Sequence, residues 1–332
     1  MKNKLLILLF LITITILSFL LCLACGGKFI NPLVLFQNQT QNEISTILLE
    51  IRFFRLINVV IVGGALASAG VAYQAVLRNP LAEPYILGIS GGASIGAALA
   101  ISTGITALST FILPVCAFSG AIVVLGLVLF LAKGSGEEYS VNVILSGVVI
   151  GSVCSSVLMF LISVMNMKAL HSITWWMLGS FQSQNRLLII LCACAIIPGI
   201  IILFIFGRDA NILSFGDEAA FHFGINPQIS ALILLATASL LTAAAVSLAG
   251  IIGFIGLIVP HILRKLFGAD HRQLFPLSFF AGAIFLMFCD TFARTVLYPI
   301  EIPVGVITAS LGGPFFLWLI NSKKNSPKIK RK

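Results

Sequence analysis

The sequence predicts an all-α membrane protein, a single domain over residues 1–332 that forms a bundle of about ten transmembrane helices. Hydrophobic residues make up 59% of the chain and charged residues 9%, and the mean hydropathy is +1.11. That is more apolar surface than one soluble core can bury. Charge-free stretches of about 20 residues, each able to cross a hydrocarbon core about 30 Å thick, also follow one another along the chain. The lipid bilayer is therefore the first predicted partner.

Each predicted span is an uncharged or nearly uncharged segment. The first is too long for the h-region of a signal peptide, which runs about 7 to 15 residues. Two long stretches hold more than one span: residues 84–132 hold two, with a turn at Ser109, Thr110 and Pro114, and residues 223–260 hold a seventh and the start of an eighth, hinged near Gly250. The other predicted spans are 5–27, 56–77, 140–165, 186–208, 277–297 and 302–320.

The basic residues predict the orientation. Ten spans place both termini on one side, and basic residues are in excess on that side, which is typical of the cytoplasmic face. Six of the twenty basic residues lie in the tail 321–332. No aromatic residues are interleaved with them, so the net charge of +9 indicates a cytoplasmic tail and not a nucleic-acid partner. We expect a multi-pass protein of the cell inner (plasma) membrane with both termini in the cytoplasm.

A polar island at residues 208–227 separates two long hydrophobic segments. Ser214 is predicted to cap a short helix, in which Asp217 and Glu218 lie where a helix N-terminus favours negative charge. Helical spacing places Ala219, Ala220 and Phe223 on one apolar face. Such a helix at a membrane surface is typical of a docking site for another protein, although an ordinary solvated loop is the alternative.

Three residues predict where the short helix ends and the next helix begins. Gly224 can adopt the left-handed conformation that closes a helix. Asn226 and Pro227 are then predicted to be the N-cap and the first residue of the next helix.

The sequence offers no catalytic residues. It contains no Gly-x-x-x-x-Gly-Lys-Ser/Thr phosphate loop, no His-Glu-x-x-His and no Gly-x-Ser-x-Gly. Cys22 and Cys25 have metal-ligand spacing, but no second pair or nearby histidine completes a site, so we predict no metal and no cofactor. Asp290 and Arg294 are four residues apart and can neutralise each other on one helix face. We predict that the chain is not an enzyme and that a partner supplies any energy for transport.

Two other classes stay open at this point. A channel or secondary transporter would work without an ATPase, but it normally carries ionisable residues near the midplane of its spans. An intramembrane enzyme needs a nucleophile with a base, or a metal site.

Small residues at four-residue spacing also recur in the spans, which indicates close helix packing and is compatible with a dimer.

Several long motifs closely resemble the FecCD family, the permeases of type II ABC importers for iron-siderophores, haem and cobalamin. The resemblance spans essentially the whole chain. The motifs that carry it are Arg78-Asn79-Pro80-Leu81-Ala82-Glu83-Pro84, Leu87-Gly88-Ile89-Ser90-Gly91-Gly92-Ala93, Gly253-Phe254-Ile255-Gly256-Leu257-Ile258-Val259-Pro260-His261-Ile262-Leu263-Arg264, Asp270-His271-Arg272, Pro303-Val304-Gly305-Val306-Ile307-Thr308 and Gly313-Pro314-Phe315-Phe316.

The resemblance implies a ten-helix permease with three kinds of protein partner. These are a second permease copy (the same chain or a close paralogue), two cytoplasmic ABC ATPase subunits and an extracytoplasmic substrate-binding protein. In the family, coupling helices rest on the ATPase, and they match residues 213–224. The coupling residues implied here are Leu213, Gly216, Asp217, Glu218, Phe223 and Gly224.

The resemblance also implies a gate and an outer docking face. The cytoplasmic gate and pathway match Ser140, Val141 and Gly147, where many relatives carry polar residues at both of the first two positions. The arginines that meet acidic residues of the binding protein match Arg52, Arg55 and Arg294. An iron complex, an Fe(III)-siderophore or haem, is the expected cargo; cobalamin is the alternative within the family, and a secondary transporter is the alternative outside it.

Overall fold

The computed structural model describes residues 2–26, 29–30, 47–132, 139–181 and 185–324. Within these ranges the chain forms thirteen α-helices and no strand, with a π-helical turn at Ile47–Arg52. The α-helices are α1 Lys2–Ala24, α2 Phe53–Val76, α3 Ile89–Ser102, α4 Ile112–Ala132, α5 Tyr139–Val164, α6 Met167–Met177, α7 Arg186–Ile205, α8 Gly207–Leu213, α9 Asp217–His222, α10 Pro227–Ala249, α11 Ile255–Phe267, α12 His271–Thr295 and α13 Val304–Lys324.

Each of the ten predicted spans overlaps one of the longer helices, which confirms the all-α membrane fold. In the described part of the chain, seven helical segments are long and apolar enough to cross a membrane. They are Leu6–Ala24, Ile47–Val76, Ile112–Ala132, Val141–Val164, Arg186–Ile205, Pro227–Ala249 and His271–Thr295.

The other three predicted spans hold shorter helices. α3 has 14 residues and α11 has 13, and the described apolar part of α13 is Val304–Leu317. A helix of 13 residues extends only about 20 Å, less than a hydrocarbon core of about 30 Å. Non-helical backbone at residues 77–88 and 250–254 precedes α3 and α11. Such backbone is tolerated at membrane depth where protein buries it.

Two predicted boundaries are refined by the structure. Pro114 lies in the first turn of α4 and not in the preceding turn. A proline is tolerated there because N–H groups in the first turn of a helix have no acceptor within the helix, so the missing N–H of proline costs no hydrogen bond. Gly250 does end α10, with φ of +72°, a conformation that favours glycine. The predicted break between two spans near Gly250 is therefore confirmed.

α2 lies at the centre of the bundle. Almost its whole length is buried, and it packs on α10, α11 and α12. Its glycines bring backbones together: a Cβ on Gly63 would lie 2.5 Å from the carbonyl oxygen of Gly282, and one on Gly70 would lie 1.9 Å from that of Gly256. Small residues permit such close contacts between membrane helices. α2 is therefore the axis around which the later helices pack.

The bundle has two ends that carry different features. The 24 residues of α2 extend about 36 Å from one end to the other. We call the end where α2 begins, beside Arg52, Arg55 and Arg294, the arginine end. We call the opposite end, which carries residues 207–226, the island end. The carbonyl oxygens of the last turn of α1 accept hydrogen bonds from Arg52, so α1 begins at the island end.

Candidate functional site

The polar island folds as two short helices joined by a tight turn. α8 spans Gly207–Leu213 and α9 spans Asp217–His222. Asn211 fixes α8 to the start of α12, because its Nδ2 donates to Asp270 Oδ1 at 2.9 Å and its Oδ1 accepts from the backbone N–H of His271 at 2.8 Å. The predicted short helix is present as α9, and polar contacts hold the preceding helix, α8, at one end of the bundle.

The predicted cap of α9 is wrong. Ser214 ends α8 and its Oγ donates to the carbonyl oxygen of Asn211 at 2.6 Å, a local bond that serine readily makes to its own helix. Gly216 directly precedes α9 with φ of +116°. The reversal between the two helices needs a positive φ, which glycine adopts without steric cost. Backbone geometry, and not a side-chain cap, therefore begins α9.

The end of α9 is as predicted. Gly224 has φ of +74°, its N–H donates to Phe221 O at 3.0 Å, and the N–H of Ile225 donates to Ala220 O at 3.0 Å. These two bonds form a Schellman motif. Asn226 then caps α10, accepting from the N–H groups of residues 228 and 229 at 3.1 and 3.2 Å.

The exposed surface of the island is aromatic. Phe215, Phe221 and Phe223 are 79%, 75% and 64% exposed, whereas Leu213 and Ala220 are buried and hold the two helices on the bundle. The expected single apolar face of α9 is thus divided between an inward alanine and outward phenylalanines. Sequence reasoning missed Phe215 and Phe221, although three phenylalanines within nine residues of a polar segment were a visible signal. Exposed apolar clusters of this kind indicate interaction sites.

A cavity of about 1150 Å³ opens beside α9. Arg78, which follows α2, forms an ion pair with Asp217, the first residue of α9. The residues that line the cavity are Arg78, Tyr139, Phe215, Gly216, Asp217, Glu218, Ala219, Phe221, His222, Pro227, Gln228 and Ala231.

The predicted gate residues begin at this cavity. Ser140 and Val141 directly follow the cavity residue Tyr139 in the first turn of α5; Val141 is exposed, and the side chain of Ser140 lies outside the described part of the chain. Gly147 is buried, and a Cβ there would lie 2.8 Å from Leu87 Cα. The structure therefore brings Val141 and the coupling residues to one end, and it places Gly147 in close contact with the non-helical segment that precedes α3.

The three predicted docking arginines form a buried cluster at the opposite end. Arg55 Nη2 donates to Asp290 Oδ1 at 2.9 Å, and Arg55 Nη1 donates to Glu301 Oε2 at 2.9 Å. Arg294 Nε lies 3.2 Å from Asp290 Oδ2, so the pairing of these two residues along one helix face is confirmed. Asp290 is 0% exposed. One carboxylate thus holds guanidinium groups from two helices.

Arg52 and Arg294 also bind the end of α1. Arg52 Nη1 donates to the carbonyl oxygens of Leu23 and Ala24, both at 3.0 Å, and Arg294 Nη2 donates to that of Cys22 at 2.9 Å. Cations at a helix C-terminus interact favourably with its unpaired carbonyl groups. Arg52, Arg55 and Arg294 are only 8%, 8% and 6% exposed, so their guanidinium groups are engaged inside the chain. Sequence reasoning missed Glu301 as a partner.

Among the described residues, no group of three or more His, Cys, Asp or Glu side chains has the arrangement of a metal site. The island end presents exposed phenylalanines beside an open cavity, and the arginine end is a junction of α1, α2 and α12 held by buried polar contacts.

Permease proteins of other organisms match most of the chain. The hemin transport system permease protein HmuU of Yersinia pestis is 36% identical over 86% of this chain and 86% of its own. The vitamin B12 import system permease protein BtuC of Escherichia coli is 35% identical over 92% of this chain and 91% of its own. A solved structure described as an inward-facing conformation of a metal-chelate type ABC transporter superimposes with a TM-score of 0.85, at 28% identity, covering 95% of this chain and 99% of the other.

The family model described as the FecCD transport family matches residues 14–322. The match includes every motif that carried the resemblance, and it extends from the first span to the last. The chain therefore belongs to the FecCD transport family.

Proposed function

We propose that this chain is the transmembrane permease subunit of an ABC importer that moves an iron complex, an Fe(III)-siderophore or haem, across the cytoplasmic membrane. ATP hydrolysis on a separate subunit supplies the energy. The observation that carries the proposal is the α8–α9 pair, which presents three exposed phenylalanines at one end of a multi-pass helical bundle. The hemin permease among the relatives supports the cargo class. Cobalamin import is the alternative, favoured by the vitamin B12 permease.

The proposed coupling surface consists of Leu213, Gly216, Asp217, Glu218, Phe223 and Gly224. Phe215 and Phe221, which are still more exposed, extend it. Apolar side chains on a short helix with well-defined ends can fill a groove of a partner, and the family resemblance supports the ATPase subunit as that partner. We propose two such subunits, one for each permease copy.

A second permease copy is proposed to pack against α5. This helix contacts mainly α3 and α4, and its opposite side is exposed from Val141 to Val164. Ser152, Ser155 and Ser156 are exposed there, and their hydroxyl groups donate to backbone carbonyl oxygens of α5 itself. Two such faces around an axis would enclose a path with its gate near Ser140, Val141 and Gly147.

The substrate-binding protein is proposed to dock at the arginine end. In this conformation the guanidinium groups of Arg52, Arg55 and Arg294 bind carboxylates and carbonyl oxygens of their own chain. Their burial favours an indirect contribution, in which they hold the docking surface in shape. A direct contact with an acidic partner would require them to leave these intramolecular partners.

Co-purification with the candidate ATPase and uptake in vesicles test the proposed function. The expected result is a stable complex of permease and ATPase that takes up an iron complex only when ATP and loaded binding protein are present. The ligand retained by the purified binding protein identifies the cargo, and retained cobalamin would select the alternative. Uptake by the permease alone, driven by an ion gradient, would contradict the ABC importer and indicate a secondary transporter.

Cysteine labelling tests the proposed orientation, with the island end in the cytoplasm. On a background with the seven natural cysteines replaced, Asp217→Cys is expected to resist a membrane-impermeant thiol reagent in intact cells. Lys168→Cys, at the start of α6, is expected to react. Permeabilised cells should label both positions, which controls for local accessibility. Labelling of position 217 from outside would reverse the orientation.

A further inference from the structure

Two non-glycine residues in the described chain have a positive φ, and they belong to one connected structure. Arg78 has φ of +48° and Phe254 has φ of +69°. Bulky residues rarely adopt this conformation, and strained positions persist where the surrounding contacts hold them. Arg78 lies one residue beyond Leu77, the residue that caps the end of α2, and Phe254 directly precedes α11. Both therefore mark the ends of non-helical segments.

Arg78 attaches the segment between α2 and α3 to the island. Its Nη2 donates to Oδ1 of Asp217, the first residue of α9. Within the segment, Asn79 Oδ1 accepts from the N–H of Leu81 at 3.0 Å, and the N–H of Ala82 donates to the carbonyl oxygen of Asn79 at 3.0 Å. These local bonds make the residues after Arg78 a folded turn and not a loose loop.

The other side of the same segment attaches to the break between α10 and α11. Glu83 Oε1 accepts from the N–H of Phe254 at 2.5 Å. The Tyr85 hydroxyl donates to the carbonyl oxygen of Ile252 at 3.0 Å and accepts from its N–H at 3.1 Å. The backbone groups freed by the break are thus paired by side chains that are far away in the sequence, as non-helical backbone within a membrane requires.

The contact continues from the break to α13. A Cβ on Gly312 would lie 2.1 Å from Phe254 Cγ, so the phenyl ring lies directly against the backbone of α13. A Cβ on Gly256 would lie 2.6 Å from Pro84 Cδ. α9, the segment 78–85, the start of α11 and α13 are therefore in unbroken contact.

We propose that Arg78 and Glu83 are positioning residues that connect α9 to the α10–α11 break and to α13. This inference rests on the proposed function, in which a partner moves α9. The segment between the two residues is short and hydrogen-bonded at both ends, so a displacement of α9 is transmitted to Phe254. The surrounding contacts hold the two positive-φ residues in a strained conformation, so a displacement that loosens those contacts changes the backbone at these two points first.

Charge exchange at Arg78 and Asp217 tests the first link, in the complete transporter reconstituted with its ATPase and binding protein. Arg78→Asp is expected to lower the amount of cargo moved per ATP hydrolysed about tenfold, a coupling effect of ordinary size. Arg78→Asp combined with Asp217→Arg is expected to restore most of the lost coupling. Ser230→Ala is the matched control, since it removes a 2.7 Å bond to Asp209 at the same end outside the proposed connection, and it should keep the wild-type ratio.

Glu83 tests the second link through two variants. Glu83→Gln keeps an oxygen that accepts from the Phe254 N–H, and it is expected to retain coupling. Glu83→Ala leaves that N–H unpaired, and it is expected to lose coupling while the permease still assembles with the ATPase and hydrolyses ATP. A purely structural role would instead lower assembly, ATP hydrolysis and uptake together.

The outcomes separate this inference from the proposed function. A wild-type complex without ATP-dependent uptake would contradict the proposed function itself. A working wild type with unchanged transport per ATP in both Arg78→Asp and Glu83→Ala would overturn the connection alone. Loss of coupling in Arg78→Asp that the charge exchange fails to restore would likewise overturn the role of the ion pair.

Discussion

Valine at position 216 or 224 is expected to separate ATP hydrolysis from uptake while the permease still inserts in the membrane and assembles. Gly216 and Gly224 have φ of +116° and +74°, where a β-branched residue is strained by about 1–3 kcal/mol. A Cβ on Gly224 would meet no atom within 4 Å, and one on Gly216 would meet only Arg78 Nη1 at 3.7 Å. The effect therefore acts through the backbone. Because α9 has only six residues, it will change position before the bundle does.

The matched control for this prediction is Gly104→Val. Gly104 also has a positive φ, of +72°, close to the +74° of Gly224, and a Cβ there would meet no atom within 4 Å, so the substitution introduces a backbone strain like that at position 224. It lies at the other end of the bundle, near Thr110, whose Oγ1 accepts a 3.0 Å hydrogen bond from Asn185 at the start of α7. The measurement is cargo moved per ATP hydrolysed in vesicles. Wild-type ratios in both the Gly216 and the Gly224 variants would refute the coupling role of α9.

Asp290→Asn is expected to prevent stable folding. Asp290 is completely buried and binds Arg55 and Arg294. Asparagine carries no negative charge, so the substitution leaves the positive charges of two buried guanidinium groups without this carboxylate to neutralise them. Removing one partner of a buried ion pair destabilises proteins by about 3–5 kcal/mol. The measurement is the thermal unfolding temperature, and the yield of monodisperse protein, in detergent. An unfolding temperature equal to that of wild type would contradict the structural role of the cluster.

An exposed ion pair provides the control. Arg186 Nη2 lies 3.0 Å from Glu50 Oε1, and both side chains are largely exposed, so Glu50→Gln should change stability by about 0–1 kcal/mol.

Arg52→Glu combined with Arg55→Glu separates the two proposed roles of the arginines. If they hold α1, α2 and α12 together, the variant will not fold. If they only contact the binding protein, it will fold normally and bind that protein weakly in a salt-dependent way.

The helix ends show where local sequence is sufficient. Gly224 and Asn226 were predicted as the end of one helix and the cap of the next because their bonds reach no further than five residues. Ser214 was predicted wrongly as a cap, although the signal was of the same kind. Its hydroxyl satisfies α8, and the direction in which the chain must turn after α8 made Gly216 the start of α9. That direction depends on how α8 packs on α12.

The sequence by itself determined that the chain is a multi-pass helical membrane protein, where its spans lie and which family it belongs to. Hydropathy and span length are local quantities, and the hydrocarbon core imposes them on each segment separately. Only the tertiary structure decided that the predicted docking arginines are buried, since Arg55 meets Asp290 across 235 positions. It also decided where α11 begins, since Glu83 pairs the Phe254 N–H across 171 positions. Contacts at such separations form because buried charges and unpaired backbone groups in a membrane must find partners within the fold, and no local pattern shows which partner that will be.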